Sequence, residues 1–117
     1  MAFVRRIGYG PILDVSSNRI RDMANGNYYE LSGHQIFLLG KGPIYRIEGA
    51  YIKEAFGSYI LELSGNYIRK TYGGIVAEIR GNMIKNHYGS YDYEFDSGIN
   101  HQQLMMVIAI LYGGQSR

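Results

Sequence analysis

Five positively charged side chains occupy equivalent places along the chain and are the residues best suited to bind an anion. Each follows an aliphatic residue, and the set comprises Arg5, Arg21, Lys53, Arg69 and Lys85. On a closed barrel they would form a ring on one outer belt, which could gather phosphates or anionic headgroups by its summed potential. The alternative is that Asp14, Glu62 and Glu78 neutralise three of these cations across the strand pair, leaving weak surface ion pairs.

Catalytic chemistry has no comparable support. The three histidines, His34, His87 and His101, have no serine or acid at motif spacing around them, and the chain contains no HExxH, P-loop or GxGxxG motif in context. The absence of cysteine excludes a disulfide framework, a Cys-type zinc site, an iron–sulfur cluster and a thiol nucleophile. We therefore expect a protein that is not an enzyme and that uses no cofactor or metal.

Composition limits the partners and the location. The formal net charge of +2 is far from the clustered excess of a nucleic-acid-binding protein, so no nucleic acid is expected. The first ten residues lack the apolar core of a signal peptide, and the apolar run 104–112 is shorter than the ~20 residues of a membrane span. These features predict a cytoplasmic protein that is at most peripheral to a membrane.

Internal repetition provides the elements that position these residues. The chain of 117 residues, enough for a single domain, divides into glycine-led units of 15 to 17 residues. The units begin at Gly10, Gly26, Gly42, Gly57 and Gly74, and a half-unit begins at Gly89. Such a short unit has room for one hairpin and not for a pair of helices.

The turn inside each unit predicts the strand register. Residues 64–67 read Ser-Gly-Asn-Tyr, which is the composition of a two-residue type II′ hairpin loop with glycine at the positive-φ position. That loop pairs Leu63 with Ile68 on one face and Glu62 with Arg69 on the other. Each hairpin therefore has an apolar face and a face with opposite charges.

The strand count predicts the fold. An opening strand near residues 3–9, five hairpins of two strands each and a final strand near 90–96 give twelve antiparallel strands. A closed or nearly closed shallow barrel removes the exposed edges of such a sheet. Because side chains alone fill a barrel of about eight strands, a twelve-stranded barrel needs additional material inside it.

A helix over about residues 100–113 is predicted to fill the barrel. Asn100 and Gln103 have the spacing of a capping box, and Gly113-Gly114 could cap the other end. Residues 104–111, LMMVIAIL, are apolar on all sides, as expected for a helix that is buried on every side. A thirteenth strand is the alternative, because valine and isoleucine favour strands.

These features resemble known families over about residues 3 to 113. The units IYRIEGAYIKE and AEIRGNMIKN resemble the small bacterial β-flower proteins, whose hairpin petals surround a shallow centre. The hairpin strands with a C-terminal apolar helix are more distantly similar to the tubby-like barrel of the LURP-one and phospholipid scramblase families. Tubby-like domains bind phosphoinositides through basic side chains, so the resemblance implies contact with membrane lipid. No lipid-binding motif of these families carries over residue by residue.

A second set of polar residues conflicts with the alternation of the strands. Strict alternation places five of them on the same face as the core isoleucines: Arg6, Asp22, Glu54, Lys70 and Asn86. Unpaired polar groups cannot lie in a dry core. Either the strands bulge at these positions and turn the side chains outward, or the residues line a wet mouth around a shallow ligand cavity.

One unit departs from the others. Residues 36–43 read IFLLGKGP, so that Phe37 replaces a surface cation and is followed by Leu38, Leu39 and Lys41. An exposed patch of this kind could contact a protein partner or insert into a membrane. Otherwise the strand lies under a neighbouring loop or in a dimer contact.

The sequence thus predicts a non-enzymatic binding module that contacts membrane lipid or a small anionic ligand. The alternative is a structural or protein-interaction module that self-associates or docks through residues 37–43. Ionic strength separates the two, because salt weakens headgroup binding by the basic ring and does not weaken an apolar contact.

Overall fold

The chain forms a closed barrel of twelve antiparallel strands around a single helix. The computed structural model describes residues 2–96 and 98–113. The strands are β1 (Ala2–Arg6), β2 (Gly10–Ser16), β3 (Arg19–Asp22), β4 (Tyr28–Ser32), β5 (Gln35–Leu38), β6 (Gly42–Glu48), β7 (Tyr51–Glu54), β8 (Tyr59–Ser64), β9 (Tyr67–Lys70), β10 (Ile75–Arg80), β11 (Met83–Asn86) and β12 (Tyr91–Phe95), followed by α1 (His101–Tyr112). Every strand pairs with its neighbours in sequence, and β1 pairs with β12 to close the barrel. The predicted fold class is confirmed.

The inner wall repeats with a constant period of sixteen residues. One layer of fully buried aliphatic residues consists of Val4, Ile20, Ile36, Ile52, Ile68 and Ile84. The unit-leading glycines are spaced unevenly because each lies at a slightly different place within its loop. The buried layer itself contains no insertion or deletion. Each hairpin therefore contributes to the core at the same height of the barrel.

The tight turns have the predicted backbone conformation. The first loop residue has a positive φ of 62° at Gly65 and of similar value at its sibling glycines, and no second loop residue has a positive φ. This is the type II′ pattern, and the predicted pairs Leu63–Ile68 and Glu62–Arg69 are formed. In the first hairpin Ser17 occupies the glycine position with a φ of 54°, which costs an L-residue on the order of 1 kcal/mol.

Five strands carry a β-bulge close to the longer loops. In each case the pairing with the preceding hairpin skips one residue, at Ile12, Ile44, Ile60, Val76 and Asp92. In three of them the carbonyl of the bulged residue accepts a hydrogen bond from the first N–H of the following loop, as from Thr71 to Ile60 at 3.0 Å. The bulges thus lie on the first strand of five of the six units, β4 being the exception, and not at the polar positions of the second strand, where the sequence allowed for them.

The helix fills the barrel as predicted. Asn100 and Gln103 form the capping box, with the Asn100 side chain accepting from the Gln103 N–H at 2.8 Å and the Asn100 N–H donating to Gln103 Oε1 at 3.0 Å. The central helical residues, Met105, Met106, Val107, Ile108 and Ala109, are buried against the strand residues. This helix is the only one in the described part of the chain, and it is too short to cross a lipid bilayer.

The end of the helix differs in detail from the prediction. Gly113 has right-handed backbone angles, with φ at −59°. A left-handed cap is therefore not the reason for a glycine at this position. A Cβ atom at this position would overlap the hydroxyl of Tyr45 on the barrel wall. Close approach of the helix to the wall therefore explains the glycine. Gly114 lies outside the described residues.

Candidate functional site

The two rims of the barrel differ in their loops. Two-residue turns form one rim, which we call the tight-turn rim, and longer connections form the other, which we call the long-loop rim. The long-loop connections are residues 7–9, 23–27, 39–41, 55–58, 71–74 and 87–90. The helix begins at the tight-turn rim, where Gln103 Nε2 donates to the carbonyl of Ser17 at 2.9 Å. It runs toward the long-loop rim, where Tyr112 meets Tyr93.

Four aromatic side chains project from the long-loop rim into solvent. Their exposed fractions are 79% for Tyr9, 88% for Phe56, 98% for Tyr72 and 84% for Tyr88, and we call these residues the aromatic tips. Folding covers almost none of their area, so packing within the barrel does not explain them. The sequence prediction did not identify them as a surface, although three of them occupy the same loop position sixteen residues apart.

The basic residues lie on the outer wall, and most have no close acidic partner. Arg5 forms an ion pair with Glu94 at 2.7 Å. Within residues 2–96 and 98–113, Arg21, Arg69 and Lys85 make no ion pair within 4.0 Å. Their charges are therefore available to a ligand.

The predicted neutralising acids are opposite these cations in register but do not approach them. Asp14 pairs with Arg21, Glu62 with Arg69 and Glu78 with Lys85 along the strands. Glu78 instead lies 3.9 Å from Arg80. The acids therefore lower the potential of the belt from a distance without occupying the cations.

The ring of cations is broken at the second unit. Phe37 takes the place of a cation, and Arg46 faces Lys53 across β6 and β7. Arg46 pairs with Glu48 at 3.1 Å. Cations thus occupy five of the six equivalent positions of the belt. In addition, Arg46 is a basic residue at a position where the other units have an acid.

The five polar residues of the second strands stay in regular register and face inward at the end of the barrel. Each follows the buried aliphatic layer by two residues on the same strand, so strand alternation places it on the inner face. Arg6 and Lys70 are exposed, whereas Asp22, Glu54 and Asn86 are half-buried. Arg6 lies over the ring of Tyr9 at 4.7 Å. The regular register is compatible with the mixed-charge mouth of the sequence analysis, which stays a prediction, and Leu38 occupies the sixth equivalent position.

Tyrosines lie beneath this mouth at the end of the helix. Tyr93 and Tyr112 pack edge to face with ring centroids 6.2 Å apart. Burial raises the pKa of Tyr112 far above its ordinary value, and the neighbouring Tyr93 and Asp92 raise it further. Burial also raises the pKa of Tyr29 and of Tyr93. These hydroxyls therefore stay protonated near neutral pH, and the buried Tyr112 hydroxyl has no hydrogen-bond partner among the described residues.

Two grooves occupy equivalent positions on the outer wall of consecutive hairpins. The first, which we call the tyrosine groove, has a volume of about 440 Å³ and is lined by Tyr51, Tyr59, Glu62, Thr71 and Tyr72. The second, which we call the sibling groove, has a volume of about 370 Å³. Its equivalent lining residues, each sixteen positions later, are Tyr67, Ile75, Glu78, His87 and Tyr88, and Lys85 also lines it. The same backbone thus presents different chemistry in the two grooves.

The second-unit patch is smaller than the sequence predicted. Phe37 and Leu38 are half-buried, and Leu39 and Lys41 are exposed. A shallow recess of about 280 Å³ runs along the patch and is also lined by Glu30 and Ser32. The neighbouring strands thus cover part of the predicted apolar surface.

Comparisons with known proteins do not identify a relative, because no protein-family model, curated protein or solved structure matches this chain. The resemblance to β-flower and tubby-like proteins therefore stays a prediction.

Proposed function

We propose that the protein is a non-enzymatic binding module that docks its long-loop rim on anionic membrane surfaces. The observation that carries the proposal is the crown of aromatic tips on this rim, each at least 79% exposed. Aromatic side chains favour the membrane–water interface, where the ring leaves water and polar atoms stay hydrated. One rim of the barrel can therefore rest on a membrane without any spanning segment.

The basic belt supplies the electrostatic part of the attraction. Its cations lie on the outer wall one residue before the inward-facing mouth residues, close to the long loops. Each lysine or arginine near an anionic surface contributes on the order of 1 kcal/mol, and the long side chains can extend toward the headgroups. Unpaired cations such as Arg21 and Arg69 contribute most.

A soluble anionic ligand at the mouth is less well supported. Arg6 and Lys70 could bind a phosphate, but Asp22 and Glu54 lie in the same ring and oppose an anion. We therefore prefer an anionic lipid headgroup to a soluble anion as the ligand. Competition by inorganic phosphate distinguishes these two ligands.

A protein-interaction module is the second candidate, favoured by the exposure of Leu39 at 44% beside the recess of the second unit. A second copy of the chain or another protein could dock there through residues 37–43. Because Phe37 and Leu38 are half-buried, the remaining apolar area is small compared with the ~800 Å² that each partner buries in a standard interface.

Flotation with liposomes tests the proposal. The wild-type protein is mixed with anionic or neutral vesicles at low and at high salt, and the double variant Phe56→Ser/Tyr88→Ser is compared with Tyr67→Ser, which removes a 43% exposed tyrosine near the tight-turn rim. We expect flotation with anionic vesicles that decreases in salt, is lost in the double variant and persists in Tyr67→Ser. No flotation under any condition would overturn the proposal and favour protein partners at residues 37–43.

A further inference from the structure

The tyrosine groove combines three aromatic rings with a carboxylate. Tyr51 on β7 and Tyr59 on β8 stand edge to face, with ring centroids 5.7 Å apart and an interplanar angle of 69°. Glu62 is the direct cross-strand neighbour of Tyr51, and Tyr72 approaches from the next long loop. Aromatic rings around a carboxylate are the surroundings that favour an organic cation.

Hydrogen bonds hold two sides of this groove in place. The hydroxyl of Tyr59 donates to Glu48 Oε1 at 2.8 Å, which fixes the orientation of its ring. The N–H of Thr71 donates to the carbonyl of the bulged residue Ile60 at 3.0 Å, which attaches the loop to the wall. The groove is therefore largely formed before a ligand arrives.

The third ring is held in an unfavourable backbone conformation. Tyr72 has a φ of 63°, in the left-handed region that costs an L-residue on the order of 1 kcal/mol. Glycine occupies the equivalent loop position in two other units, at Gly8 and Gly40. A tyrosine at a position suited to glycine indicates that the ring itself is useful.

Glu62 is the one charged residue among the described residues that line the groove, whereas the cations Arg69 and Lys53 lie beside it without lining it. Glu62 makes no ion pair within 4.0 Å in the part of the chain that the structure describes. Lys53 Nζ lies 5.6 Å from the centroid of the Tyr59 ring, which shows that this ring accepts a cation. Thr71 Oγ1 is buried without a hydrogen-bond partner among the described residues. The groove thus has an available carboxylate and an unpartnered hydroxyl.

We infer that the tyrosine groove binds a quaternary or methylated ammonium group. Such a cation is weakly hydrated, so it enters an aromatic groove at a lower desolvation cost than a primary ammonium ion, and Glu62 balances its charge. The group could belong to a small soluble molecule or to a choline lipid headgroup. The inference does not depend on docking to anionic membranes, because the groove and its ligand can be tested in solution.

The sibling groove is the natural control within the same protein. Ile75 stands where the tyrosine groove has Tyr59, so one tyrosine ring is missing, and the imidazole of His87 stands where that groove has Thr71. Lys85 lines the sibling groove, and its charge repels a second cation. We therefore expect the sibling groove not to bind the same ligand.

Titration with tetramethylammonium and with choline, followed by NMR, tests the inference. We expect saturable shifts confined to the tyrosine groove, and much weaker binding of the uncharged choline analogue 3,3-dimethyl-1-butanol. Tyr59→Ile, which copies the sibling groove, and Glu62→Gln should each weaken binding about two- to fivefold. Glu78→Gln in the sibling groove should leave it unchanged. Equal binding of the uncharged analogue, no saturable binding, or unchanged binding in Tyr59→Ile would overturn the inference.

Neutral phosphatidylcholine vesicles identify the source of the ammonium group. Flotation with these vesicles that is lost in Tyr59→Ile would support the inference with a lipid headgroup as ligand. Binding of free tetramethylammonium without flotation would support it with a soluble ligand. Because the membrane proposal is tested with anionic vesicles and rim variants, its failure would leave these results unaffected.

Discussion

The inner wall and the long-loop rim of this barrel are built from the same six repeats but differ in how strictly they repeat. The inner wall presents one valine and five isoleucines, all fully buried, at equivalent positions. At the rim, the loop position of Tyr72 is occupied elsewhere by glycine, alanine, phenylalanine or tyrosine. The constant positions determine the barrel, and we expect recognition to depend on the variable ones.

The two grooves show the same contrast on a smaller scale. Glu62 and Glu78 occupy equivalent sites, but Ile75 replaces Tyr59 and His87 replaces Thr71, so that one tyrosine ring is exchanged for an imidazole. We expect these variable positions to determine which class of ligand each groove favours. The following predictions test whether the constant positions govern stability and the variable positions govern binding.

The largest effect is expected for a charge inside the barrel. Ile108→Asp places a carboxylate in the helix at a site that is 1% exposed, and burying that charge costs an amount comparable to the ~5–15 kcal/mol stability of a whole domain. We expect loss of cooperative unfolding by circular dichroism. Leu104→Asp, at a half-buried site of the same helix, should be milder. A folded Ile108→Asp variant with the wild-type urea midpoint would contradict the central helix.

A matched pair of truncations compares the wall with the rim. Ile52→Ala removes a fully buried side chain and should lower the free energy of unfolding by about 2–5 kcal/mol. Phe56→Ala removes a larger side chain that is 88% exposed and should change it by less than about 0.5 kcal/mol. Urea titration measures both, and similar losses would show that the rim is also a structural element.

The buried hydroxyl under the mouth gives the stability a dependence on alkaline pH. Because the pKa of Tyr112 is raised above its ordinary value of 10.0, the folded state holds this proton more tightly than the unfolded state. Its contribution is fully present below pH ~10 and is lost as pH rises further, at no more than about 1.4 kcal/mol per pH unit. The difference between the urea midpoints at about pH 8 and 11 should become smaller in Tyr112→Phe, with a remainder from Tyr29 and Tyr93, and an unchanged decline would place its cause elsewhere.

The smallest effect concerns the one tight turn that lacks glycine. Ser17→Gly should stabilise the protein by about 0.5–1 kcal/mol, since relief of the positive φ outweighs the added freedom of the unfolded chain. Gly65→Ala at the equivalent position of another hairpin should destabilise it by about 1–2 kcal/mol. Melting temperatures that change in opposite directions in the two variants would support the shared turn type, and changes in the same direction would oppose it.

Much of the fold could be predicted because its determinants are local. The glycine of the 64–67 turn determined the register of Leu63 with Ile68, and Asn100 with Gln103 marked the start of the helix. The bulge at Ile60 could not be derived in this way, because it depends on how one hairpin meets the next. The consecutive buried residues Ile60 and Leu61 were its only local signal.

The candidate sites were predicted less completely, for the same reason. The basic residues repeat along the chain, so alternation placed them on the outer face, whereas for the mouth residues the sequence left a bulge open as the alternative. The tyrosine groove joins Tyr51, Tyr59 and Tyr72 from three separate segments, and the edge-to-face contact depends on pairing between hairpins. The smaller apolar patch at Phe37 likewise depends on its cover by neighbouring strands.

Measuring the orientation of the barrel on a membrane shows directly whether the protein docks through its long-loop rim. The chain has no tryptophan, so Phe56→Trp on the long-loop rim and Tyr67→Trp near the tight-turn rim each introduce a single reporter. With anionic vesicles containing lipids brominated on their acyl chains, we expect a blue shift and quenching of the tryptophan at position 56 and neither at position 67. Equal quenching at the two positions, or quenching at neither, would contradict docking through the long-loop rim.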